Sequence, residues 1–74
     1  MPTTQISQNI RPNHVAAIVT KDGQRLGHVI ARGKFSGLMF EAHRKNGVAG
    51  VDIRRVAPNF RSVEAAARWI EASA

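Results

Sequence analysis

One stretch of this chain carries a helical period, and it is the last. From Ser62 the sequence SVEAAARWIEASA is rich in alanine, and Val63, Ala66, Ala67, Ile70 and Ala74 recur at spacings of three and four. That spacing lines them along one helix face, with Glu64, Arg68 and Glu71 turned away and Trp69 at the edge of the stripe. Ser62 stands where an N-cap hydroxyl satisfies a free amide, and Glu64 falls in the first turn, where negative charge suits the helix dipole. About three turns do not hold together alone in water. The apolar stripe therefore needs a surface to lie on, and the residues before it are strand-like.

HVAAIVT is β-branched and apolar, KDGQ supplies an Asp-Gly turn, and RLGHVIAR follows, which together form a hairpin signature. GKFSG breaks the chain, LMFEAHR reads as another strand, and KNG is a second hairpin turn before VAGVDIRRVA. Pro58 lacks an amide hydrogen and biases Ala57 away from helix, so the last strand should end or bulge there. The expectation is an α+β fold: a three- to four-stranded antiparallel β-meander over His14 to about Ala57, with one C-terminal α-helix, Ser62 to Ala72, packed on one face. Residues 14–74 form this single small domain. MPTTQISQNIRPN before it is polar, holds two prolines and shows no sustained period, which reads as a flexible N-terminal arm over 1–13.

Seventy-four residues without cysteine leave packing as the source of stability, with no disulfide or thiolate metal site to staple the fold. The apolar runs fall well short of a membrane span, and the first residues lack the basic start and apolar core of a secretory signal. A cytoplasmic protein is expected. Eleven Lys and Arg against five acidic residues give a formal charge of +6, a density that draws polyanions through counterion release.

Alternation along LMFEAHRK sends Leu38, Phe40 and Ala42 to the core side and Met39, Glu41, His43 and Lys45 to the other. By the same rule Gly27, Val29 and Ala31 face the helix while His28, Ile30 and Arg32 face outward, and Val51 and Ile53 oppose Asp52 and Arg54. The outward face is basic, with Ile30 and Met39 among its charges. The candidate nucleic-acid-binding residues are His28, Arg32, Lys34, His43, Lys45, Arg54 and Arg55, with Arg44 and Arg61 as further basic positions. Arginine in such a set can hold phosphates and guanine edges. Ion pairing with Asp52 or Glu41 would diminish the patch.

Other chemistries find little to stand on. Gly27 and Gly33 have five residues between them and Phe35 follows Lys34, so a phosphate-cradling loop fails on spacing, residue and context. His14, His28 and His43 lack the short spacing of a metal site, and no cofactor is implied. With no Cys, no Tyr and serines confined to turns, the N-cap and the termini, the chain offers no nucleophile beside a base, and no enzymatic activity is expected. Trp69 reads as a core-closing side chain against Phe60 or Phe35 rather than a base-stacking platform.

LGHVIARGKFSGLMFEAHRKNG followed by NFRSVEAAARWI resembles the three-stranded DNA-binding domains of phage integrase arms and plant ethylene-response factors. Gly27-His28-Val29 stands at the Gly-x-aliphatic step of the first strand and Phe40-Glu41-Ala42 at the aromatic-x-Ala step of the second. Phe60-Arg61-Ser62 leads into a helix bearing Ala65, Ala66 and Trp69. HVAAIVT is an additional strand before this pattern, and RRVAPNF lacks the usual Gly before the terminal Phe. The resemblance implies a sheet laid in the major groove, strands presenting Arg and Lys to phosphates and base edges, and a helix holding the sheet from behind. An integrase-like chain without Tyr would be a binding arm alone.

Two functions follow. The first is a small non-enzymatic nucleic-acid-binding module, acting on double-stranded DNA more than RNA through the open sheet face. The second is a protein-binding adaptor or inhibitor of mobile-element type that sets Ile30 and Met39 of the same face against an acidic protein surface. A uniformly charged outward row favours nucleic acid, and charges around an apolar centre favour a protein.

Overall fold

A computed structural model describes residues 2–34, 36–48 and 51–72, and of residues 46–48 and 51–55 it describes the backbone alone. Five strands run in order along the chain: β1 (Thr3–Ile6), β2 (Val15–Lys21), β3 (Gln24–Lys34), β4 (Gly37–Val48) and β5 (Val51–Phe60). Each pairs antiparallel with the next in one open sheet, and α1 (Val63–Ala72) packs across β2, β3, β4 and β5. The α+β meander with its C-terminal helix is as expected, with one strand more than the sequence showed. That strand comes from the segment read as an arm. Thr3, Thr4, Gln5 and Ile6 pair with Thr20, Val19, Ile18 and Ala17, and the Thr4 hydroxyl donates to the Glu71 carboxylate 3.4 Å away. Four residues are too few to show a period, so the free edge of β2 specifies this strand more than its own sequence does.

The KDGQ turn forms as read. Lys21 pairs with Gln24, and Asp22 and Gly23 take φ of 53° and 78°, the two left-handed residues of a two-residue hairpin connection. KNG does not turn. β4 runs on through Lys45–Val48, and Val48 pairs with Val51, because the β-branched valines extend the ladder past the Asn-Gly signal. Pro58 does bulge the last strand: Phe40 pairs with Phe60 and Ala42 with Ala57, so Pro58 and Asn59 together oppose Glu41. Asn59 has φ of 69°. β5 lies at the sheet edge, where a residue without an amide hydrogen breaks no interior ladder.

The core is Ala16, Ala17, Val19, Val29, Ala31 and Ala42 from the sheet against Val63, Ala66, Ala67 and Ile70 from the helix. Consecutive Ala16 and Ala17 both bury because β2 bulges between Val15 and Ala17, which defeats strict alternation. Small residues in the middle strands let the helix lie close. Gly27 meets a different constraint, the close approach of β4, since a Cβ there would meet the His43 carbonyl oxygen. Leu38, Phe40, Phe60 and Trp69 close the margin, the Trp69 and Phe60 rings tilted at 6.3 Å between centroids. The Ser62 hydroxyl accepts from the Ala65 amide at 3.1 Å, the N-cap the sequence specifies. Ala74 and Phe35, assigned to the helix stripe and to a Trp69 contact, lie outside the described residues. Among the described residues no helix is long and apolar enough to cross a membrane.

Candidate nucleic-acid interface

With the helix on one side, the other face of the sheet is open. Its central row is a single line across all five strands: Gln5, Ile18, His28, His43 and Val56 stand opposite one another in turn. The rings of His28 and His43 stack with centroids 4.8 Å apart and planes within 7°. On β4 the next outward residue is Glu41, opposite Ile30, followed by Met39, opposite Arg32.

Glu41 is the electrostatic hinge of this face. Its Oε1 accepts from His43 Nε2 at 2.5 Å and from the Arg32 guanidinium at 3.5 Å, all on strands whose pleat points them the same way. The His43 hydrogen bond is the strongest influence on the carboxyl, and with the attraction of His43 and Arg32 it overrides the opposing cost of partial burial. Glu41 is therefore held below the ordinary glutamate value of 4.5. The carboxylate is 21% exposed against 50% for Arg32, so Arg32 keeps donors free for a partner while one amine faces Glu41.

The seven candidate residues divide. His43 and Arg32 converge on Glu41, and His28 stacks on His43. Lys45 is exposed two residues beyond His43 and stands opposite Arg54. Lys34 is exposed at the end of β3, where Gly33 adopts φ of 107° beside the Gly37 carbonyl oxygen. Arg55 stands opposite Arg44, one row away from Lys45. The side chains of Arg54 and Arg55 lie outside the described residues. Apolar residues fill the centre of the face: Ile18, Ile30 and Met39 are half-buried, and Val15 and Val56 are 43% and 49% exposed. The face is an apolar and histidine centre with cations toward its ends, not a uniform basic row.

Arg44 has a different task. It is buried on the helix side, and its guanidinium donates to the Ile70 carbonyl. A carbonyl in the last turn of a helix has no partner within it, and positive charge is favourable there. The sequence reading counts Arg44 among the basic positions, whereas alternation carried on from Leu38, Phe40 and Ala42 leads it to the covered side, where a charged residue requires a partner. That parity was the available signal for its role.

Among the described residues no three His, Cys, Asp or Glu side chains form a group able to hold a metal ion. The chain matches no protein-family model, no curated protein and no solved structure.

Proposed function

We propose that the chain is a small non-enzymatic nucleic-acid-binding module that lays the open face of its sheet on double-stranded DNA. The observation carrying this reading is the placement of the cations. Arg32 stands opposite Met39 near one end of β4 and Lys45 stands opposite Arg54 near the other. The six residue steps from Met39 to Lys45 span about 20 Å at ~3.3 Å per residue. A major groove is about 12 Å wide, so cations at this separation fall on the phosphates to either side while the centre faces base edges. Glu41 repels phosphate from that centre and leaves it to His28, His43 and the apolar side chains, which suit contact with bases and thymine methyls. The net charge of +6 supplies attraction at long range.

A second reading, the adaptor or inhibitor of mobile-element type, is favoured by one observation: Val15 and Val56 leave nearly half their surface exposed around Ile18, Ile30 and Met39. By the distinction drawn from the sequence, an apolar centre with a charged rim counts toward a protein partner, and the span between the cations is what weighs toward the duplex.

Anisotropy titrations of a labelled duplex at several salt concentrations separate the two. Arg32→Ala and Lys45→Ala should each weaken binding and lower the salt slope by about one, the loss of one phosphate contact. Arg68→Ala, on the exposed side of the helix, removes the same charge and should change binding little. Equal losses from Arg68→Ala and Lys45→Ala, or no salt-dependent duplex affinity in the parent protein, would give precedence to the protein partner.

A further inference from the structure

A carboxylate stands near the middle of the open face. Of the five acidic residues in the chain, Asp22 lies in the β2–β3 turn and Glu64 and Glu71 on the helix, while the Asp52 side chain lies outside the described residues. Among the described residues Glu41 is therefore the one acidic side chain on the open face. It is one residue step, about 3 Å, from the midpoint of the span between Met39 and Lys45. That is inside the half-width of about 6 Å of a major groove seated there. Both of its hydrogen bonds, from His43 at 2.5 Å and from Arg32 at 3.5 Å, end on Oε1. Oε2 has no hydrogen-bond partner among the described residues, and no side-chain oxygen or nitrogen there is both buried and unpaired, so Oε2 reaches solvent. Its neighbours on the face are apolar: Ile30 stands opposite, and Met39 lies two residues before it on the same side of β4.

We propose that Glu41 is a base-reading residue of the module, its Oε2 accepting a hydrogen bond from the N4 amino group of a cytosine in the major groove. The inference rests on the duplex-binding reading above and names what the centre of that face selects. An ionised carboxylate only accepts, so it needs a donor at the base edge. Guanine presents N7 and O6 and thymine presents O4, all acceptors that repel it. Adenine presents the N6 amino group with the N7 acceptor beside it, whereas cytosine presents N4 with no acceptor on its own major-groove edge. Cytosine is thus the base that offers a carboxylate a donor alone. His43 and Arg32 hold the Glu41 carboxyl below the ordinary value of 4.5, so the ionised form is the one presented at neutral pH. The same two bonds fix the side chain before the duplex arrives, which leaves little rotamer freedom to lose on binding. Ile30 and Met39 exclude water around the contact, which strengthens a matched hydrogen bond and raises the cost of an unmatched one. Because the negative charge repels phosphate, Glu41 contributes selectivity between bases rather than affinity.

The test selects duplexes randomised over about ten base pairs with the parent protein, then measures affinity by anisotropy for the best duplex and for each base substitution in it. The parent should prefer cytosine at one position by about tenfold over guanine or thymine, as expected of a base-edge contact. Glu41→Gln keeps the shape and sets a donor beside the acceptor, the pattern that matches adenine N6 and N7, so the preference at that position should move from cytosine to adenine. Glu41→Ala should abolish the preference there. Both variants should keep the parent's salt slope, because Arg32 and Lys45 remain. If Glu41 only orders His43 and Arg32, each variant will change affinity by the same factor for all four bases, and the inference is overturned while duplex binding stands. A parent that binds duplex with salt dependence but selects no cytosine overturns it equally. If the parent shows no salt-dependent duplex affinity, the duplex-binding reading fails and the inference falls with it.

Discussion

Arg44 and Lys45 are neighbours on β4 with the same charge, and the sheet separates them completely. Arg44 turns under the helix, is buried, and donates to the Ile70 carbonyl; Lys45 turns to the open face and is exposed. The same division runs through the sheet. The covered face is built from Ala16, Ala17, Val19, Val29, Ala31 and Ala42, small enough for a helix to approach closely. The open face carries Ile18, Ile30, Met39, two stacked histidines and the Glu41 ion pairs. One face spends its residues on cohesion. The other keeps larger and more polar groups that the core does not require, which makes it the place to look for function.

The contrast breaks first at Ile70, which is fully buried at the helix–sheet contact. Ile70→Ala removes its packing and should cost about 2–5 kcal/mol where the site does not collapse. In a domain of 74 residues that is a large share of total stability. Thermal unfolding followed by circular dichroism reads it directly, and an unchanged midpoint would mean that the helix does not depend on this face.

Next comes the neighbouring pair. Arg44→Ala should destabilise by about 1.5–3 kcal/mol, the worth of a buried hydrogen bond from a charged donor, since the Ile70 carbonyl loses that donor. Lys45→Ala should stay within about 0.5 kcal/mol, as exposed substitutions generally do. Denaturant titrations of both variants sharpen the comparison, because equal losses would erase the distinction between the two faces. A smaller effect is expected at the helix start. Ser62→Ala removes the hydroxyl that accepts from the Ala65 amide and should cost about 1 kcal/mol in the same titration, with no effect on groups of the open face.

How far the sequence revealed these faces depends on how local each cause is. The helix stripe of Val63, Ala66, Ala67 and Ile70 and the Ser62 cap follow from spacing within one element, and both are present in the structure. The inward set Gly27, Val29 and Ala31 also follows from alternation, and these residues are buried. The Pro58 bulge follows from a missing amide hydrogen. β1 was hidden because its pairing partner, not its own four residues, creates it. The KNG signal misled because Val48 and Val51 continue the ladder beyond it. At the open face, alternation put His43, Glu41 and Arg32 on one side, but the His28–His43 stack needs the β3–β4 register, and the Arg44 bond needs the position of the helix end. Alternation gives direction, whereas reach across elements comes only from assembled geometry.

The smallest effect expected belongs to the open face and concerns pH. Glu41 accepts from His43 and Arg32, which holds its carboxyl below the ordinary value of 4.5 in the folded protein. An unfolded chain has no such partners, so on acidification it takes up the proton first. Between the two values the unfolded state binds more protons, and falling pH therefore favours unfolding. The stabilisation from these pairs is complete above about 4.5 and is lost as pH falls through the lowered folded value. Glu41→Gln removes the charge at every pH, so the parent should be the more stable at neutral pH, by less than about 1 kcal/mol for a partly exposed pair. The gap should close as pH falls through the lowered folded value and the parent's own carboxylate protonates. Melting curves of the two proteins from pH 7 to pH 3 test the sign. A gap that stays constant over that range would show that Glu41 contributes through packing alone, and the open face would then owe none of its order to charge.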